Sequence, residues 1–143
     1  MDKMQNLYRQ VIMDHYKNPR NKGLVDDESY RTVHLKNPSC GDDITVQTKI
    51  ENGIIVDAKH EGTGCSICCS AASVMSEIVI DKPVEEALKI SENLTKMLSN
   101  QEYDKSVDLE EAIVYEGVRQ FPARVKCASL AWKAFEGTTK ESE

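Results

Sequence analysis

Three of the five cysteines in this 143-residue chain stand where a packing cysteine is least expected. Cys40 lies in Asn37-Pro-Ser-Cys-Gly-Asp42, where Gly41 gives the chain freedom to turn Cys40 and Asp42 toward one point. Cys65 follows Gly62-Thr-Gly64 just ahead of a helical pattern, and Cys127 falls in the first turns of a helix opened by Pro122. Near a helix N-terminus, unpaired N–H groups and the helix dipole favour the thiolate. Three soft sulfurs and one carboxylate would make a four-coordinate zinc set. The separations match no short zinc-finger pattern. From the residues alone a second reading therefore stands beside the first, with Cys40 an ordinary loop thiol and Cys127 a core residue.

Composition narrows the classes. An odd cysteine count excludes a complete disulfide framework. The 18 Lys and Arg against 24 Asp and Glu give a net charge of −6 with no basic cluster, which argues against a nucleic-acid partner. No apolar run approaches the ~18–20 residues of a spanning helix, and MDKMQNLYRQ carries no signal-peptide block. A soluble, cytoplasmic protein with no membrane partner is the expectation.

These residues must be positioned by a small set of elements. Met4, Leu7, Tyr8, Val11, Ile12 and His15 recur at helical steps, and Pro19 and Gly23 end that helix. Arg31, Val33 and Leu35 alternate with Thr32 and His34, then Ile44, Val46, Thr48 and Ile50 with polar neighbours. Asn52-Gly53 supplies a tight hairpin turn, and Ile54, Val56 and Ala58 face one side of the returning strand. Ile67, Ala71, Val74 and Ile78 mark a helix ending near Asp81; Pro83 begins the next, buried through Ala87, Ile90, Leu94 and Met97. Asp108 with Glu111 reads as a capping box for a short third helix. Val125, Ala128, Trp132 and Phe135 line the last, with Gly137 as its stop and Thr138 to Glu143 as a frayed tail. Strands followed by helices predict a single α+β domain over 1–143: a three-stranded antiparallel sheet with an N-terminal helix and a C-terminal set of helices packed on it.

Four stretches in order carry a resemblance: Leu7-Tyr-Arg with Asp14-His-Tyr-Lys-Asn-Pro-Arg-Asn-Lys-Gly23, Asn37-Pro-Ser-Cys-Gly-Asp42, Gly62-Thr-Gly-Cys65, and Pro122-Ala-Arg-Val-Lys-Cys127. From Leu7 to about Phe135 the chain resembles the IscU/NifU N-terminal family of iron–sulfur cluster assembly proteins, and within it the SufU branch. The resemblance implies an IscU-like fold and places the family's metal ligands on Cys40, Asp42, Cys65 and Cys127. Two departures separate the branches. IscU-type scaffolds carry a histidine where this chain has Lys126, and the stretch holding Asp104 to Gln120 is longer than the scaffold pattern. Both features resemble SufU-like proteins, which bind Zn²⁺ and accept sulfur from a PLP-dependent cysteine desulfurase of the SufS type. A zinc-dependent persulfide acceptor and carrier that supplies a downstream cluster-assembly complex is then the expected function. The alternatives are a scaffold that builds a transient [2Fe–2S] cluster on the same ligands and a purely structural zinc module.

For sulfur transfer, an acceptor thiolate must attack a sulfane sulfur, at a rate set by thiolate fraction and access. Cys40 is the expected acceptor, because it sits on a loop and leaves a metal at least cost, whereas Cys65 and Cys127 sit at helix starts. Arg124, one turn before Cys127, is expected to pair with Asp42 or to meet the partner enzyme, and Lys126 to offset the negative charge of the site. Cys68 and Cys69 stand where the family usually has small residues such as serine, and they read as packing residues of their helix. His15 reads as a core or capping histidine, His60 as packed beside Val56 and Ala58, and His34 as outward. The acidic run from Tyr103 to Tyr115 reads as a solvated face.

Overall fold

In the computed structural model, which describes residues 3–140, helix α1 (Lys3–Lys17) leads into strands β1 (Tyr30–Asn37), β2 (Asp42–Glu51) and β3 (Ile54–Thr63). Helices α2 (Ser66–Val79) and α3 (Val84–Leu98), a 3₁₀ helix (Glu110–Gln120) and α4 (Pro122–Thr139) complete the chain. The strands form one antiparallel sheet in the order β1-β2-β3. Asn52 and Gly53 close the second hairpin with φ of 53° and 76°, the left-handed pair its two-residue turn requires. Ile44, Val46 and Thr48 of β2 are buried on one face, where α2 and α4 cover the sheet.

One strand reading needs correction. Lys49 pairs with Asp57 but Ile50 with Ile55, so Val56 is an extra residue in β3, a β-bulge. The bulge reverses the side-chain phase: Ile55 is buried while Val56 turns out to solvent, and Ala58 and His60 resume the buried face.

The helical part differs from expectation in two places. Asp108 Oδ1 accepts the Glu110 N–H at 2.8 Å, but Leu109 is the cap residue and makes no side-chain cap bond, and Glu111 closes no box back onto Asp108. Glu111 instead accepts from Nε2 of the buried His15 at 2.5 Å and ties the 3₁₀ helix to α1. That third helix is an 11-residue 3₁₀ segment, long for a form with strained hydrogen bonds. Nor does Gly137 stop α4. A Cβ there would lie 3.1 Å from a Val33 methyl, so the glycine permits α4 to approach β1 closely, and the helix runs on to Thr139. Thr138, expected in a frayed tail, is buried, accepts from the Thr48 hydroxyl at 2.9 Å and donates to the Phe135 carbonyl. The remainder of that tail, residues 141–143, lies outside the described residues, as does the side chain of Met4. Leu7, placed on the apolar stripe of α1 by its period, is 54% exposed.

Beneath these helices, Trp132 and Phe135 meet edge to face at 6.2 Å, both fully buried. Cys68 packs among Ala71, Ala72 and Val74 as its periodicity requires. Burial strongly raises its thiol pKa, so it stays protonated and inert. Cys69 is half-buried, with its pKa raised for the same reason.

Candidate metal centre

The β1–β2 turn, the start of α2 and the start of α4 converge at one end of the sheet. Cys40 is held in the turn by its own N–H and that of Gly41, which both donate to the Asn37 carbonyl at 3.2 and 3.0 Å. Gly41 has φ of 71°, a left-handed value that brings the chain straight back into β2. Asp42, expected in the loop, is the first residue of β2 and is almost completely buried. Sheet pairing with Asn37 therefore fixes its backbone.

Two groups orient the Asp42 carboxylate. Its Oδ1 accepts the Cys65 N–H at 3.1 Å, and its Oδ2 accepts the Asn37 amide at 3.4 Å. Gly64 makes this possible. With φ of 156°, its position admits no side chain, since a Cβ would stand 2.5 Å from Asp42 Oδ1. The Gly62-Thr-Gly64 stretch thus works as a spacer that lets the α2 N-terminus touch the carboxylate.

Cys127 sits in the second turn of α4, fully buried. Ligand atoms of Cys40, Asp42 and Cys127 all lie within 4.8 Å of one another. The thiols of Cys40 and Cys127 share one acceptor, the Ala123 carbonyl, at 3.6 and 3.8 Å. Burial raises the Cys127 pKa strongly, and hydrogen bonds of its protonated thiol with Asp42, Cys40 and Cys65 raise it further.

Cys65 stands apart from this trio. It caps α2 in an extended conformation, half-buried, and its sulfur lies beside Cys127 without closing within 4.8 Å of the whole group. Arg124 explains its surroundings. The guanidinium lies against the sulfurs of Cys65 and Cys127, whose partial or full negative charge raises its pKa. Among the described residues it makes no ion pair with Asp42, contrary to one expectation, because α4 presents it to the Cys65 side. Lys126 is turned away as well. It is exposed and lines a cleft between α3 and α4 rather than the sulfur cluster, since one residue back along a helix rotates a side chain by a quarter turn or more.

Sequence reasoning missed Asn37. Buried at the end of β1, its amide reaches both Asp42 Oδ2 and, at 3.9 Å, the Cys127 sulfur. The one available signal was its place at the head of the Asn37-to-Asp42 stretch. On the outer side, Tyr8, Ile12, Ile67, Val114, Val118 and Phe121 line an open groove of about 610 Å³ that ends at Cys65 and Arg124. His60 is elsewhere: buried, donating from Nε2 to the Arg20 carbonyl at 2.7 Å, with burial lowering its pKa.

The donor set fits a soft or borderline divalent ion. In a tetrahedral zinc site, sulfurs bonded at about 2.3 Å stand about 3.8 Å apart, so donors already within 4.8 Å need little movement. The carboxylate is pre-aimed by two donors, the outer-shell support that metal ligands require.

The chain is 49% identical to the zinc-dependent sulfurtransferase SufU of Bacillus subtilis, over 96% of its own length and 93% of that protein. It is 37% identical to the iron–sulfur cluster assembly scaffold protein IscU of Streptococcus pyogenes serotype M1, over 99% of this chain and 88% of the other. A crystal structure of a SUF-system iron–sulfur cluster assembly scaffold protein from Fervidobacterium islandicum superposes with a TM-score of 0.82 at 36% identity, covering 92% of this chain and 95% of that one. The NifU-like N terminal domain family matches residues 7–128, and the chain belongs to that family.

Proposed function

We propose that this chain is a zinc-dependent sulfur carrier that takes persulfide sulfur from a cysteine desulfurase and passes it on for iron–sulfur cluster assembly. One observation carries the reading: a turn, a strand end and a helix start bring Cys40, Asp42 and Cys127 within 4.8 Å, with Cys65 alongside. Cys40, Asp42, Cys65 and Cys127 would hold the ion. Bound there, Zn²⁺ supplies deprotonated thiols at neutral pH, which buried thiols such as Cys127 do not offer unaided.

Cys40 is the acceptor. It is the ligand on a turn, half-buried rather than sealed, and its thiol reaches the Ala123 carbonyl only at 3.6 Å. As thiolate, its Sγ attacks the terminal sulfur of the donor persulfide. A new S–S bond forms on Cys40, the donor's S–S bond breaks, and the donor cysteine departs as thiolate. Asp42 stays fixed by Asn37 and the Cys65 N–H, so the site keeps its shape when Cys40 moves. Arg124, exposed at the mouth of the groove, offers a positive charge to the incoming anionic persulfide.

The scaffold alternative draws on the same ligands, since thiolates suit iron–sulfur clusters and zinc alike. The turning of Lys126 toward the α3–α4 cleft favours the carrier, because α4 then offers Cys127 and no adjacent nitrogen ligand. The test is the purified protein with a SufS-type desulfurase. A colourless protein holding one zinc per chain that raises desulfurase turnover, with the gain abolished in Cys40→Ser, is expected. A brown protein whose colour re-forms with iron and sulfide, or a Cys40→Ser variant that stimulates normally, would overturn it.

A further inference from the structure

On the far side of the first turns of α4 lies a second concavity, between the C-terminus of α3 and α4, of about 410 Å³. Arg119, Lys126 and Lys133 line it together with Thr95, Asn100 and Ser129, and no Asp or Glu does. Lys126 and Lys133, seven residues apart, share one face of α4, and both are exposed. None of the three cations takes part in an ion pair among the described residues. A neighbouring hollow shares Asn100 and Arg119 and adds Lys105 together with Glu102, so the segregated positive charge is that of the cleft itself. For a chain of net charge −6, this is a segregated charge, and its hydroxyls and amide add donors suited to carboxylates.

We infer that this cleft receives a carboxylate-rich segment of the sulfur-donating enzyme. The inference rests on the sulfur-carrier reading. A donor must bring an anionic persulfide up to a group of thiols and a carboxylate on an acidic protein, and that approach is repulsive. Lys126, next to Cys127 on α4, together with Lys133 further along the helix and Arg119 at the end of the 3₁₀ helix, offsets the repulsion and orients the encounter, and the hydroxyl and amide groups between them fit extended peptide carboxylates. Charge complementarity of this kind sets association rate and register more than it sets chemistry.

Equilibrium binding of the desulfurase to the full chain tests this, with wild type, Arg119→Glu/Lys133→Glu, and the neutral Arg119→Gln/Lys133→Gln in case charge reversal unfolds the chain. Reversal is expected to weaken binding about tenfold and to flatten its salt dependence, with the neutral pair intermediate. Zinc content and melting temperature should stay unchanged. A hexaglutamate peptide should compete with the desulfurase for wild type, whereas inorganic phosphate should not. Unchanged affinity in both variants overturns the inference, as does wild type that does not bind the enzyme. Competition by phosphate and not by peptide marks a small-anion site and overturns it too. Binding that weakens as described while no sulfur reaches Cys40 leaves the cleft standing and removes the sulfur-carrier reading instead.

Discussion

The side chain that decides how closely the start of α2 approaches Asp42 is one that is absent. Gly64 keeps its α-carbon against Asp42, where a methyl group would fall 2.5 Å from Oδ1 and where φ is 156°. Gly64→Ala is therefore expected to destabilise the fold by about 1–3 kcal/mol and to lower zinc occupancy by swinging the carboxylate off its Cys65 N–H. Denaturant unfolding and metal analysis check both. Asn37→Ala should act on the metal more than on the fold, since it removes one of two hydrogen bonds that aim Asp42; loss of support of this type lowers metal affinity about 10- to 100-fold. A competition titration with a chelator reads that directly. The grouping of Cys40, Asp42 and Cys127 was legible because residue type, glycine flanks and a family resemblance named them together. Asn37 was not, because an asparagine before a proline reads first as a turn former. The orientation of Arg124 and Lys126 was also hidden, since a phase error of one position on α4 moves a side chain from the sulfur side to the cleft.

Among the elements, the 3₁₀ helix was the least legible. Its apolar period suggested an ordinary short helix, and Glu111 was assigned to a local cap; tertiary contact won instead, with the buried His15 taking the carboxylate across 96 residues of sequence. Ser73 supports the ring from its other nitrogen at 2.8 Å, so α1, α2 and the 3₁₀ helix meet on one imidazole. Glu111→Ala should cost about 1 kcal/mol and speed amide exchange over 110–120, with zinc content unchanged. The β-bulge at Val56 was equally out of reach, because strict alternation cannot show where an extra residue enters. The strand it bends also carries His60, whose pKa burial holds below the ordinary 6.5. The unfolded chain takes up that proton near 6.5 and the folded chain only at lower pH, so folding stability falls as pH drops through and below 6.5. His60→Gln, which keeps a donor toward the Arg20 carbonyl, should flatten that acid-side decline in melting temperature.

At the scale of the molecule, the fold gives the start of α4 two faces. One carries Arg124 at the end of an apolar groove, with Cys127 buried beside the sulfur cluster; the other turns Lys126 into a cationic cleft that Lys133 continues further along the helix. No helix among the described residues is long and apolar enough to cross a membrane. The order of strands and helices followed from periodicity alone, whereas the convergence of residues 40, 42 and 127 came from the resemblance and from how hairpin and helices close over the sheet end. The claim on which the functional reading turns is that sulfur arrives on Cys40. Incubating the zinc-loaded protein with desulfurase and cysteine, trapping thiols and mapping peptides by mass spectrometry locates the added sulfur. The prediction is one extra sulfur atom on the peptide holding Cys40; sulfur on the peptides of Cys65, Cys68, Cys69 or Cys127 in place of Cys40 would contradict it.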